Sequence, residues 1–235
     1  MGKSSYTLIL SMKNFLSAAK IVLLGLAGAL LNLGAVLLFQ NLLGFPLFMD
    51  TLFTVALTFL GGLPCGIVTA ILTHAIVNSL LVQDLPNYLY TLCNIISALV
   101  TAYSMRLFPA ECSVNPGGKP PAGGIYGRIT ILFTLSLVMC ILMSLAGGII
   151  STVIETFFVR RDFYDAEVFI FKRMLTRKGL PLPLTEILCR IPVNILDRLI
   201  SVFGGYGFAR AVTFLITSRR ERVDHGGQNR IHPWH

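Results

Sequence analysis

The sequence predicts an all-α, polytopic membrane bundle of six transmembrane helices, of which the second is short. Hydrophobic residues make up 54% of the 235 residues and charged residues 13%, and the mean hydropathy is +0.75. A soluble domain carries about 25% charged residues, so this composition excludes that class. Apolar runs near the length of ~20 residues that a bilayer requires recur along the chain. We expect a cytoplasmic lead (1–17), one membrane domain (18–217) and a cytoplasmic tail (218–235).

The first span is expected over residues 18–43. Small residues recur along it at three- and four-residue spacing, and the amide of Asn32 interrupts them. Small residues allow membrane helices to approach closely. This face therefore either packs inside the bundle or docks against another membrane protein, and Gly25 and Ala29 are the candidate docking residues.

The second and third spans are expected on either side of a break at Gly61-Gly62-Leu63-Pro64. Two glycines free the backbone, and proline is tolerated in the first turn of a helix. Residues 50–60 are too few to cross a bilayer upright, whereas residues 64–81 are about long enough. Every fourth residue of the longer segment is small or polar, ending in His74 and Asn78. Polar groups at membrane depth face protein or water, so these two either line a pocket or form structural hydrogen bonds.

The fourth and fifth spans each carry a stripe that is expected to face inward. The stripe on residues 87–107 is polar and runs from Tyr90 through Asn94 to Ser104, whereas that on residues 127–155 is made of small residues. The proline- and glycine-rich residues 109–126 between the two spans are expected to form a loop.

The last part of the membrane domain is the most charged. Residues 156–184 are expected to contain a short interfacial helix whose apolar side includes Val168 and Leu175. The sixth span, residues 183–216, begins with Glu186, Arg190, Asn194 and Asp197 at four-, four- and three-residue steps. The tail beyond it is polar and is expected to be flexible.

Positive charge predicts the orientation. With the N-terminus in the cytoplasm, ten basic residues lie inside: Lys3, Lys13, Lys20, Arg106, Lys119, Arg128, Arg219, Arg220, Arg222 and Arg230. The outer loops after the first and third spans contain none, in agreement with the positive-inside rule. The loop 156–184 is the exception, because it places six basic residues outside. We expect a multi-pass protein of the plasma membrane with both termini in the cytoplasm.

In this orientation the polar groups of several spans converge in the outer half of the bundle. We expect them to line one outward-facing cavity above an apolar base, suited to a small neutral or weakly charged molecule with a flat ring. The candidate substrate-binding residues are Asp50, His74, Asn78, Tyr90, Asn94, Asn194 and Asp197. For each of them, contact with headgroup water or an interhelical hydrogen bond is the structural alternative.

The sequence gives little indication of catalysis or of metal binding. The motifs HExxH and GxSxG are absent, and the five cysteines form no CxxC pair. Three of the four histidines lie in the tail, which leaves His74 alone in the membrane region. We therefore expect neither an enzyme nor a metal or other cofactor, and the net charge of +8 is attributed to residues flanking the membrane rather than to nucleic-acid binding.

The arrangement resembles the substrate-binding S components of energy-coupling factor (ECF) vitamin transporters. The resemblance covers residues 18–217 and rests on a short second span after FPLFMDTLFTV, on the break GGLPCG, and on the segment IPVNILDRLISVFGGY (191–206) in the sixth span. It implies capture of a vitamin or related micronutrient from outside, followed by association with a coupling transmembrane subunit and two ATPase subunits. The alanines that contact the coupling subunit in this family have their nearest match in Gly25-xxx-Ala29.

Two functions follow from these expectations. The first is a substrate-capture subunit of an ECF-type importer; the sequence contains no phosphate-binding loop, so partner subunits would hydrolyse ATP. The alternative is a membrane ligand sensor or input module without transport activity. Partnership with ATPase subunits would favour the first function, and partnership with a kinase the second.

Overall fold

The protein is an all-α, polytopic membrane bundle. The computed structural model describes residues 3–115, 120–121, 123–158 and 168–228, with side chains from residue 17 to residue 219 of these ranges. Within them there are no strands, and the α-helices are α1 (Lys3–Val36), α2 (Leu52–Val77), α3 (Thr91–Leu107), α4 (Gly124–Phe157), α5 (Phe169–Arg177) and α6 (Leu182–Gln228). All but α5 belong to segments that are long and apolar enough to cross a membrane. Short π-helical turns extend α1 (Leu37–Leu42) and α2 (Asn78–Val82), and a 3₁₀ turn (Leu85–Tyr90) precedes α3.

Helix α2 is a hairpin of two arms, which are the predicted second and third spans. Its backbone leaves the helical conformation at Gly62, where φ is 77° and ψ is −174°. The Asn32 side-chain amide donates hydrogen bonds to the hydroxyls of both Thr54 (3.2 Å) and Thr73 (3.0 Å). In a straight helix, residues 54 and 73 would be more than about 25 Å apart, so the two arms run antiparallel. The predicted break at residues 61–64 is therefore confirmed.

Small residues let the hairpin arms and α3 pack closely. A Cβ added at Gly66 on the second arm would lie 2.0 Å from the hydroxyl of Thr58 on the first arm and 3.0 Å from the Cβ of Ala98 on α3. These distances leave no room for a side chain. Gly66 thus allows close contact between helices, which is a common role of small residues in membrane proteins.

The small-residue face of α1 packs inside the bundle, against the hairpin. A Cβ at Gly25 would lie 2.5 Å from Cγ1 of Val68, and one at Gly28 would lie 2.5 Å from Cδ1 of Leu57. Ala29 has no exposed surface. The prediction that Gly25 and Ala29 form an outer docking face is therefore corrected: both residues are buried, and Gly25 lies against α2. The sequence pattern could not separate the two alternatives because internal packing and docking require the same small residues.

The inward stripes of α3 and α4 are found as predicted. Asn94, Ser97 and Thr101 on α3 have no exposed surface. On α4, Ser144 is buried, and a Cβ at Gly148 would lie 2.5 Å from Cγ1 of Ile187 on α6. Helix α4 therefore packs closely against α6, whereas α1, α3 and α6 pack against the hairpin.

The ends of the chain are more helical than expected. Helix α1 begins at Lys3, inside the predicted lead, and α6 continues through the predicted flexible tail as far as Gln228. Residues 3–17 and 193–228 contain no proline, and arginine and glutamate in the tail have high helix propensity. The end of the tail, residues 229–235, lies outside the described residues.

The predicted interfacial helix is α5. Val168, which precedes it, is 1% exposed and packs in an apolar cluster with Met49 and Val193, and Leu175 is partly buried against the same cluster. The other side of α5 carries Ile170, which is 69% exposed. Helix α5 is thus attached to the end of the bundle at which α6 begins.

Candidate functional site

A cavity of about 320 Å³ lies at the end of the bundle where α1 ends, α2 begins and returns, and α3 and α6 begin. Its volume falls at the lower end of the range for small-molecule sites. The polar and charged residues of its wall are Gln40, Asp50, Thr51, His74, Asn87, Tyr90, Arg190, Asn194 and Arg198. The remaining wall is made of aliphatic, aromatic and sulfur-containing side chains and of Gly147.

The hairpin geometry brings Asp50 and His74 together in the cavity wall. Asp50 directly precedes the first arm and His74 lies on the returning arm, so antiparallel packing places them at the same level. The Nε2 atom of His74 is 3.0 Å from Oδ2 of Asp50. Burial alone would raise the pKa of Asp50, but the hydrogen bond and charge of His74 and the charge of Arg198 outweigh it, and the pKa is lowered overall.

Arg198 is part of the cavity wall and is 3% exposed. Its Nη1 donates to the hydroxyls of Thr51 (2.6 Å) and Ser97 (3.4 Å). Its Nη2 forms an ion pair with the neighbouring Asp197 and lies 3.9 Å from Oδ1 of Asp50. Among the described residues, its Nε has no hydrogen-bond partner. The guanidinium therefore has one buried donor that no described residue satisfies.

A short loop holds Asp50 at this position. Met49 adopts a left-handed conformation with φ of 48°, which is uncommon for a residue other than glycine. Its backbone N–H donates to Oδ1 of Asp197 at 3.1 Å. The side-chain amide of Asn94 donates to the backbone carbonyl of Asp50 at 2.9 Å. Two buried polar side chains on α3 and α6 thus fix the start of the hairpin.

Arg190 is a second arginine of the wall, four residues before Asn194. Its Nη2 donates to the hydroxyl of Tyr90 at 3.1 Å, and its Cζ lies 5.4 Å from the centre of the Tyr90 ring. The same nitrogen is 3.6 Å from Oε2 of Glu186. An aromatic ring and a guanidinium that contact each other therefore border the cavity.

The Glu186 carboxylate connects this wall to α5. Its Oε1 is 2.6 Å from Nζ of Lys172, which also pairs with Glu155 at the end of α4. Burial lowers the pKa of Lys172, but the hydrogen bonds and charges of Glu155 and Glu186 outweigh it, and the pKa is raised overall. These ion pairs join α4, α5 and α6 beside the cavity.

Four of the predicted substrate-binding residues line the cavity: Asp50, His74, Tyr90 and Asn194. Asn194 is held by its side-chain amide, which donates to the Ser144 hydroxyl on α4 at 2.9 Å. The structure therefore brings together residues from the hairpin, from the turn before α3 and from α6, as the converging polar positions predicted. Their role in binding stays a prediction.

The other three predicted residues are not part of the cavity wall. Asn78 donates to the backbone carbonyl of Asp84 at 2.9 Å and closes the turn after α2. Asn94 supports the Asp50 carbonyl, and Asp197 is fully buried behind Arg198. The expectation that these three side chains line the cavity is corrected, because each is directed at a neighbouring backbone or side-chain group.

Arg190 and Arg198 are wall residues that the sequence prediction did not include. The signal was present, since Glu186, Arg190, Asn194 and Arg198 follow each other at four-residue steps and therefore share one face of α6. The prediction included Asp197 as a wall residue instead of Arg198. Asp197 lies one position off this face and supports the arginine from behind.

Metal-ligand chemistry has no support in the described part of the chain. It contains no group of three or more His, Cys, Asp or Glu side chains placed to hold an ion. No disulfide joins the five cysteines, all of which lie in the described ranges, and Cys93 borders the cavity. The wall therefore offers charged and hydrogen-bonding groups and no metal-ligand set among the described residues.

No protein-family model matches this chain, and neither a curated protein nor a solved structure matches it. The function is therefore argued from the geometry of the site.

Proposed function

We propose that this chain captures a small solute in the cavity and acts as the substrate-binding subunit of an ECF-type membrane importer. The observation that carries the proposal is the wall itself: two guanidiniums, a carboxylate and an imidazole border a space of about 320 Å³ inside an apolar bundle. Ionisable groups within membrane helices are costly and mark substrate or ion pathways. A fold that required stability alone would be served as well by apolar packing at these positions.

The closed end of the bundle supports capture rather than passage through an open pore. An apolar cluster that includes Phe59, Met139 and Tyr206 fills the half away from the cavity. The ring of Phe59 packs edge-on against that of Tyr206, with centroids 5.4 Å apart. A solute bound at the cavity end would need a conformational change, driven by partner subunits, to cross.

The proposed orientation places the cavity at the outer face of the plasma membrane and both termini in the cytoplasm. The hairpin begins and ends at the cavity end, so it does not carry the chain to the other side of the membrane. Helices α1, α3, α4 and α6 each cross once, which makes four crossings. An even number of crossings leaves both termini on one side, where the positive-inside rule also puts most basic residues. Cysteine labelling of intact cells tests this orientation. A cysteine at Leu85, which is 82% exposed, should react with an impermeant reagent, whereas one at the exposed Asn115 should react only after lysis.

The importer assignment adds three partners: a coupling transmembrane subunit and two ATPase subunits. It is supported by the resemblance of the hairpin and of residues 191–206 to ECF S components, and by the absence of a phosphate-binding loop in the sequence. The captured solute is expected to be a vitamin or a molecule of similar size. Energy for its release on the inner side would come from ATP hydrolysed by the partners.

Co-purification from native membranes tests the importer assignment. The tagged chain, extracted in mild detergent, should bring down two ATPases and one further multi-pass protein, and uptake of the captured solute should require ATP. A tagged, unrelated membrane protein of similar size serves as the control. Recovery of the chain with a kinase and without ATPases would contradict the importer assignment and favour the sensor.

A further inference from the structure

We propose that α5 binds anionic lipids of the leaflet at the cavity end of the bundle, with basic side chains at the lipid phosphates and apolar side chains in the acyl chains. This inference goes beyond solute capture and stands without it. It accounts for the segment 156–184, whose six basic and three acidic residues are the exception to the predicted orientation. The segment stays positively charged even when every acid in it is paired.

Helix α5 lies where two membrane-spanning segments begin and end. Lys172 on α5 forms ion pairs with Glu155, near the end of α4, and with Glu186, near the start of α6. Two residues from these carboxylates, Phe157 is 74% exposed and Leu184 is 43% exposed. Apolar side chains on the outside of spanning segments face acyl chains, and both segments end here. Helix α5 therefore lies near the border between acyl chains and headgroups.

An apolar stripe of α5 faces away from the bundle. It consists of Ile170, Phe171 and Met174, which are 69%, 39% and 56% exposed. At about 100° per residue, these three side chains lie within one sector of about 100° around the helix axis. Lys172, on the other side of the helix, contacts the bundle. Burial in the acyl region of a membrane removes such an apolar stripe from water.

A basic stripe lies beside the apolar stripe. Arg173 and Arg177 are one turn apart and both are exposed, and Lys178 is exposed directly after the helix. Within the described ranges, none of these three side chains forms an ion pair or a hydrogen bond. Arginine can bind a phosphate group with two parallel N–H donors, and lysine binds it as a point charge. The basic stripe is therefore suited to the phosphates of lipid headgroups.

The two stripes together favour a lipid over a protein or a free anion. A basic stripe next to an apolar stripe on a short helix is typical of helices that lie in the surface of anionic membranes. A free anion would use the basic side chains alone and would leave the apolar stripe in water. The bilayer also reaches α5, because the adjoining segments of α4 and α6 span it.

Quenching of a tryptophan by brominated lipids tests both stripes in the full-length chain. Trp234 is the only tryptophan of the sequence, so it is replaced by phenylalanine and Ile170→Trp places the reporter on the apolar stripe. After reconstitution, lipids brominated in their acyl chains should quench this reporter. Phosphatidylglycerol should bind there about fivefold more tightly than phosphatidylcholine, the factor that corresponds to one cation near an anionic lipid surface.

Removal of the basic stripe separates headgroup recognition from apolar contact. In the variant Arg173→Gln/Arg177→Gln/Lys178→Gln, quenching should persist, because the apolar stripe is intact. The preference for phosphatidylglycerol should fall to near parity. The three positions are exposed, so the fold should be retained.

Two controls separate the basic stripe from the overall charge of the protein and from general contact with lipid. The variant Arg219→Gln/Arg220→Gln/Arg222→Gln removes the same charge near the far end of α6 and should keep the preference at Ile170→Trp. A reporter at Ile141→Trp, in the middle of α4 and 66% exposed, should be quenched equally by the two lipids.

Absence of quenching at Ile170→Trp would overturn the inference and leave this face to a protein partner. Equal binding of the two lipids, or a preference that loss of the basic stripe leaves unchanged, would also overturn it. None of the substituted residues lines the cavity. Solute capture is therefore tested separately, and either proposal can fail without the other.

Discussion

At the scale of single residues, buried amides hold the hairpin and the site in place. Asn32 on α1 uses its whole side chain: the amide donates to Thr54 and Thr73, and the carbonyl accepts from the backbone N–H of Phe53 at 2.8 Å. One side chain therefore clamps both arms and satisfies a backbone donor in the first turn of α2.

Asn32→Ala is expected to destabilise the protein by about 2–4 kcal/mol. The substitution removes three hydrogen bonds, and a buried donor left unsatisfied costs about 1–3 kcal/mol. Leu30→Ala is the control, because Leu30 is on the same helix and 52% exposed. Unfolding in mixed micelles measures both variants, and equal stability of the two would mean that Asn32 does not act as a clamp.

Two asparagines that were both predicted to line the cavity occupy different positions in the structure. Asn194 lines the cavity, whereas Asn94 lies behind it and supports the Asp50 carbonyl. Asn194→Ala should weaken solute binding about 5- to 150-fold, the range for loss of one hydrogen bond to a buried group, and should cost about 1 kcal/mol of stability through the lost hydrogen bond to Ser144. Asn94→Ala should lower stability as well as affinity. Affinity that is unchanged in folded Asn194→Ala would place the solute elsewhere.

At the scale of elements, the hairpin turn depends on one backbone conformation. Gly62 has φ of 77° and ψ of −174°, a region that residues with a side chain rarely adopt. An added Cβ there would meet its nearest atom, Cδ of Pro64, at 3.9 Å, which is an ordinary contact. The requirement for glycine is therefore conformational and not steric.

Gly62→Ala is expected to cost about 1–3 kcal/mol of stability through backbone strain. Gly34→Ala is the matched control, since Gly34 lies in regular helix with nothing near its added Cβ. There the same substitution should be neutral or stabilising by up to about 1 kcal/mol. The two variants are compared by unfolding, and a Gly62→Ala protein as stable as Gly34→Ala would contradict the hairpin geometry.

The attachment of α5 depends on Lys172. Lys172→Met leaves Glu186, 1% exposed, without its closest cation and is expected to destabilise by about 1–3 kcal/mol. Lys178→Met, at an exposed position, is the control. The raised pKa of Lys172 means that its stabilising effect is complete below the ordinary lysine value of 10.5 and is lost only as pH rises beyond it. The difference between the two variants should thus be constant from about pH 7 to 9, and a difference that fades within this range would contradict the ion-pair account.

At the scale of the whole molecule, the architecture could be predicted from the sequence because it depends on patterns within short stretches of the chain. Gly62 and Pro64 marked the hairpin, and hydropathy marked the membrane segments. The site was predicted only in part. The spacing of residues along one helix does not specify which residues of the neighbouring helices they face. A carboxylate next to an arginine, as in Asp197-Arg198, gives no indication of which side chain faces the cavity. That choice depends on how α6 is rotated against α3 and the hairpin.

The Asn32 hydrogen bonds, the turn at Gly62 and the ion pairs of Lys172 all help to position the wall of one cavity, which is the proposed site of solute capture. Gly147 offers a direct way to fill that cavity. It lines the wall, and an added Cβ would lie 3.3 Å from Cδ of Arg190. A larger side chain at this position therefore occupies solute space and displaces the arginine.

Native mass spectrometry of the protein, gently extracted from its own membrane, tests solute capture most directly. Unsubstituted protein and the control Gly34→Val should each retain one small molecule in about equal occupancy, whereas folded Gly147→Val should retain at least about tenfold less. Absence of any bound small molecule in the unsubstituted protein, or equal occupancy in Gly147→Val, would contradict the proposed capture of a solute in this cavity.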